Sequence, residues 1–150
     1  MTGLPSRAWP KYAEWAARLV LAAVFLTACL PKIAHPHAFA ESIYRYQLLH
    51  AAAINAAAVF LPWLELAAAV SLLALPRLQR GAVLLVAILL VVFTGAIAIN
   101  LHRGVDIACG CFSVSESKGH IGWWNLARNA ALLALLPLAW PRARAMEPGP

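Results

Sequence analysis

The sequence is poor in charge, and poorer still in acid. Of its 150 residues only 12% are Asp, Glu, Lys or Arg, and just six are acidic. An ordinary soluble domain carries about 25% charged and about 45–50% apolar residues. Here 63% are hydrophobic. A water-soluble fold of this length cannot hide so much apolar surface, so lipid is the solvent for most of the chain and one domain is the natural count. Cysteine is also scarce. Three residues, Cys29, Cys109 and Cys111, exclude a fully paired disulfide framework within one chain and leave one pair plus one thiol. No basic patch is interleaved with aromatics. The twelve Lys and Arg, net charge +6, stand singly or in pairs at the ends of apolar runs. That placement suits anionic lipid headgroups and the positive-inside rule, and nucleic acid is excluded as a partner.

Four apolar runs are present, and a spanning helix needs about 20 residues. Gly81 to Leu101 holds no charge. Ala51 to Leu75 holds one acid, Glu65. Trp123 to Trp140 is shorter, holds Arg128 and has Trp at both ends, where aromatic rings suit the membrane interface. The first run, Leu19 to Leu30, is too short alone and extends back to Tyr12, which places Glu14 and Arg18 inside it. These two lie four apart and pair on one helix face. Backbone in lipid must satisfy itself, so the runs are helices. The expected fold is an all-α, integral membrane four-helix bundle of up-down topology. Residues 1–11 form a cytoplasmic segment, 12–140 the transmembrane domain and 141–150 a short cytoplasmic tail. An interfacial segment is expected between Pro31 and His50, where Phe39, Ile43, Tyr44 and Leu48 recur at roughly helical spacing.

Basic residues set the orientation. With the N-terminus inside, the inner side holds Arg7, Lys11, Arg18, Arg77, Arg80, Arg142 and Arg144, against Lys32, Arg45, Arg103, Lys118 and Arg128 outside. The short turn carrying Arg77 and Arg80 sharpens the bias. Both termini are therefore expected in the cytoplasm. Both long connections, Cys29 and the Cys109/Cys111 loop then fall on the outer side, where disulfides are permitted. His35, His37, His50, His102 and His120 fall there too.

Cys109-Gly110-Cys111 brings two sulfurs within bonding reach through one glycine, and glycine tolerates the backbone angles so small a ring demands. Strained, exposed disulfides tend to be the labile or catalytic ones. The active reading is a dithiol/disulfide couple; the bland one is a passive staple or two free thiols. Cys29 is a candidate third thiol, an inert packing residue or, ranked last, the cysteine of a lipobox-like Leu26-Thr27-Ala28-Cys29. A soft-metal site built from Cys29, Cys109, Cys111 and His102 is the rival to redox chemistry. It is not favoured, because the histidine spacing matches no structural zinc pattern. Glu65, deep in the second run, is a functional-site hypothesis by default. Its expected role is nonetheless structural, as an interhelical ion pair with Arg18. Arg128 and Asn129 are the remaining intramembrane polar candidates, with Arg128 expected to serve the outer loop.

Several landmarks occur together in order. They are Lys32 with Pro36 soon after, Pro62-Trp63-Leu64-Glu65-Leu66, Asp106-Ile107-Ala108-Cys109-Gly110-Cys111-Phe112, and Gly122-Trp123-Trp124 leading to Arg128-Asn129. In these the chain resembles the MauE family of methylamine-utilisation membrane proteins, within a wider DoxX-like set, over about Arg18 to Leu138. Cys29 departs from the pattern, where a small residue such as glycine is expected. The resemblance implies a bacterial inner-membrane factor that helps make methylamine dehydrogenase, whose periplasmic small subunit carries several disulfides. It further implies a thioredoxin-like periplasmic partner, a secreted client and a redox role for Cys109 and Cys111. By analogy with other four-helix disulfide-forming proteins, a membrane quinone is the candidate electron acceptor, although nothing in the sequence marks a quinone pocket. The alternatives are a heavy-metal binding or transport protein and a non-catalytic assembly scaffold.

Overall fold

The computed structural model describes residues 11–104 and 123–141. The Cys109/Cys111 pair, Asp106, Lys118, His120 and the terminal segments lie outside the described residues. Within them the chain is all-helical: α1 Lys11–Ala34, α2 Pro36–Tyr46, α3 Ala51–Ala74, α4 Gln79–His102 and α5 Trp123–Ala139. Three of these, α1, α3 and α4, are long and apolar enough to cross a membrane. At 24 residues each, they extend about 36 Å at 1.5 Å per residue, enough for the hydrocarbon core. Helix α5 has 17 residues.

Each apolar run of the sequence became a helix, with shifted ends. The largest shift is at the end of α1, which runs through Pro31 to Ala34 instead of stopping before it. Proline lacks an N–H and crowds the carbonyl four residues earlier. That carbonyl belongs to Thr27, whose own hydroxyl donates back to Ala23 and Val24 at 2.9 Å each. The extension matters because it carries Lys32 along the helix instead of into a loop. The expected interfacial segment is α2, begun by Pro36 at its first turn, where a missing N–H costs nothing. Its Phe39 is buried, while Tyr44 and Leu48 are exposed.

The helices meet in a closed circuit: α1 packs on α3 and α5, α3 on α4, and α4 on α5, with α2 laid against α3. The inward stripe of α1 is Arg18, Ala22, Phe25, Cys29 and Lys32, a 4-3-4-3 spacing that keeps one face toward its neighbours. Small residues at the contacts, among them Ala17, Ala22, Ala68, Ala69 and Ala82, let the backbones approach closely. The outward faces are the reverse of a soluble protein's. Phe60, Trp63, Ile88, Val91 and Val92 are all exposed, which in lipid carries no penalty and in water would be an aggregation surface.

The turns are economical. Between α3 and α4, Gln79 Nε2 donates to the Leu72 carbonyl at 3.4 Å, closing an otherwise unpaired end of α3. Helix α4 ends at His102, and Gly104 just beyond it has a φ of +66°, which only glycine adopts freely. Its N–H donates to the Leu101 carbonyl at 3.2 Å, in the manner of a left-handed helix stop.

Candidate functional site

The most polar point inside the helix circuit is an ion pair. Lys32 Nζ lies 2.6 Å from Glu65 Oε1, and both side chains are 1% exposed. The Cα–Cβ bonds of a helix tilt toward its N-terminus, so Lys32, near the end of α1, leans back into the bundle toward α3. Glu65 shares the inward stripe of Ile54, Ala58, Pro62, Ala69 and Leu72. Two rings complete the ammonium's surroundings, Phe39 of α2 and Phe93 of α4, each with its centroid 5.0 Å from Nζ. A desolvated cation over an aromatic face gains about 2 kcal/mol. Three elements besides its own helix therefore hold Lys32.

Glu65 is paired through only one oxygen. Its Oε2 is buried and has no hydrogen-bond partner among the described residues. Glu65 is among the residues lining a cavity of ≈ 20 Å³ between α1, α3, α4 and α5. Lys32, Glu65, Arg128 and Asn129 are the polar residues of that cavity, with Phe25 and Phe93 among its apolar wall. Asn129 is buried and donates from Nδ2 to Thr94 Oγ1 at 3.3 Å, joining α5 to α4. Asn100, two turns further along α4, is also buried, with Nδ2 on the Ala96 carbonyl at 3.0 Å.

The sequence-expected residues are brought together unevenly. Glu65, Arg128 and Asn129 meet at one cavity; Arg18 does not join them. It pairs instead with Glu14, four residues before it on the same face, and its Nε donates to the Ala139 carbonyl at 3.1 Å. The expected Arg18–Glu65 pair is thus replaced by Lys32–Glu65. The reason is axial distance: Arg18 and Lys32 are 14 residues apart on α1, about 21 Å at 1.5 Å per residue, and no arginine spans that. Arg128 is half-buried and lines the cavity; the loop it was expected to serve lies outside the described residues. Cys29 is fully buried, one turn before Lys32, and its thiol donates to the Leu26 carbonyl at 3.4 Å. It lies within electrostatic reach of both Glu65 and Lys32. His102 is exposed at the end of α4, and His35 and His37 are exposed around the start of α2. Among the described residues no three His, Cys, Asp or Glu side chains form a metal-holding group. Lys32 itself went unrecognised as the partner of Glu65. The signal was its place seven residues after Phe25 on the inward stripe of α1, masked by Pro31.

The family model for the methylamine utilisation protein MauE matches residues 10–142. The chain belongs to the MauE family. Curated relatives of the same name agree. The protein of Paracoccus denitrificans is 38% identical over 81% of this chain and 64% of its own length. That of Paracoccus versutus is 42% identical over 85% and 72%, and that of Methylophilus methylotrophus 36% identical over 79% and 63%. The chain thus spans a little under two thirds of the first and third of these relatives. No solved structure matches it.

Proposed function

We propose that the chain is a membrane thiol–disulfide factor that assists disulfide formation or processing of a secreted client, with Cys109 and Cys111 as its redox pair. The observation that carries the reading is the Cys109-Gly110-Cys111 triplet in a chain of the MauE family. A thiolate of the partner attacks the Cys109–Cys111 disulfide, a mixed disulfide forms, and the partner's second thiolate resolves it. This leaves the partner oxidised and Cys109 and Cys111 as thiols; a membrane quinone, taking two electrons and two protons, restores their disulfide. The partner is a thioredoxin-like periplasmic protein. The client class is a disulfide-rich secreted protein such as the methylamine dehydrogenase small subunit, in keeping with relatives named for methylamine utilisation.

In this reading α1, α3, α4 and α5 cross the bacterial inner membrane as an up-down four-helix bundle, and α2 lies at the interface. Support comes from the closed circuit of helix contacts and from Trp123 and Trp124, both exposed at the start of α5, where amphipathic rings anchor at headgroup level. Both termini and the Arg77–Arg80 turn are cytoplasmic, and residues 105–122 face outward. Thiol trapping in intact cells tests the chemistry. Cys109 and Cys111 should shift between reduced and oxidised forms as the client matures, and Cys109→Ser or Cys111→Ser should halt maturation. Cysteines fixed in one redox state, with full function in the double serine variant, would sink the proposal.

A further inference from the structure

We propose that the cavity between α1, α3, α4 and α5 is a binding site for one structural water, which donates to Glu65 Oε2 and to the Asn129 side-chain oxygen and accepts from the Lys32 ammonium. The water is a polar bridge from α3 to α5. Those two helices stand across the circuit from each other, each packed on α1 and α4. Helix α5 is the element with most to gain from such a tie. It has 17 residues and buries only Asn129, Leu132 and Ala139. Two bonds anchor it elsewhere, from Arg18 of α1 to the Ala139 carbonyl and from Asn129 to Thr94 of α4. Neither reaches α3.

Three observations support the site. The first is volume. The enclosed space is ≈ 20 Å³, and one water needs about 10–15 Å³. The second is an unmet acceptor. Glu65 Oε2 is buried with no hydrogen-bond partner among the described residues, and leaving such a group unpaired is costly, most of all when it is charged. The third is the wall. Empty cavities are apolar, whereas a buried water makes about three hydrogen bonds. Lys32, Glu65, Arg128 and Asn129 all line this cavity. The Lys32 ammonium has three N–H bonds and gives one to Glu65 Oε1. Asn129 donates through Nδ2 to Thr94, and its side-chain oxygen is a separate acceptor. These groups ask for a ligand that both donates and accepts. Water does both, and a bare ion does not.

The test uses the full chain in lipid bilayers with isotope-labelled Glu and Asn, and solid-state NMR that records only carbons receiving magnetisation from water. The Glu65 carboxylate and Asn129 amide signals are identified by their loss in Glu65→Gln and Asn129→Leu. Both carbons should receive magnetisation in the unaltered chain. A membrane-impermeant paramagnetic chelate should quench the transfer at Glu41, which is exposed, and spare the two buried carbons, because a bound water is shielded and open solvent is not. Ala28→Val and Val24→Ile add bulk at the cavity wall and should abolish transfer at Glu65 and Asn129 together. Val24 is only partly buried, so its variant serves if Ala28→Val misfolds; helical content and monodispersity are the controls. No transfer at Glu65 in the unaltered chain would overturn the proposal. So would quenching at Glu65 to the same degree as at Glu41, or transfer that survives in the folded filling variants. Transfer at Glu65 without transfer at Asn129 would overturn the bridge to α5.

Discussion

At the scale of single residues, the Lys32–Glu65 pair dominates the interior. Burying two charges costs several kcal/mol each before their attraction repays it, and breaking such a pair from one side is worse than replacing both partners. Lys32→Met or Glu65→Ala alone is therefore expected to destabilise the protein by about 3–5 kcal/mol. The double variant Lys32→Met/Glu65→Leu should recover most of that loss. Unfolding in mixed micelles of the four proteins measures the coupling, and strictly additive losses would show that the two charges do not depend on each other. Half of this pair was legible. A lone acid in an apolar run marks itself, and Glu65 is such an acid. Its partner was hidden because Pro31 reads as a helix end, and a lysine beyond a helix end reads as a loop charge. Arg18 does not take that place because helix rise, more than sequence order, decides which charges share a depth.

At the scale of elements, all four apolar runs became helices, because composition alone forces that backbone in lipid. Their ends were less legible. Helix α1 overran its proline, and only the residue-by-residue spacing of its inward stripe records that the same face continues. Glycines supply a sharper contrast. Gly104 holds φ +66° just beyond α4, whereas Gly95 lies within that helix, and, chain neighbours and the helix's own backbone apart, no atom of the described residues lies within 4 Å of where a Cβ would stand at either. Crowding is therefore equal at the two sites and only backbone preference differs. Gly104→Ala should destabilise by about 1 kcal/mol, the cost of a left-handed alanine. Gly95→Ala should stabilise by about 0.5–1 kcal/mol through reduced chain entropy. Melting temperatures of the two variants in one detergent check the opposite signs, and shifts of the same sign would count against this account.

At the scale of the whole molecule, the membrane setting was the plainest message of the sequence, and the outward-facing Phe60, Trp63, Ile88 and Val91 agree with it. What the sequence could not supply was which helices touch. Apolar runs of similar composition carry no pairing code; the pairing comes from small-residue contacts and a few buried polar side chains. Orientation is testable directly. A single cysteine placed at Leu78 in a Cys-free background should react with a membrane-impermeant maleimide only after the cells are opened. One placed at Ser117 should react in intact cells. Reversed accessibility would invert the assignment of sides. The bond from Arg18 to the Ala139 carbonyl has a further meaning during synthesis. Arg18 emerges from the ribosome early and Ala139 near the end, so α1 must wait through the insertion of every other helix before its arginine is fully satisfied. Until then a half-made chain displays an incompletely bonded guanidinium at its first helix.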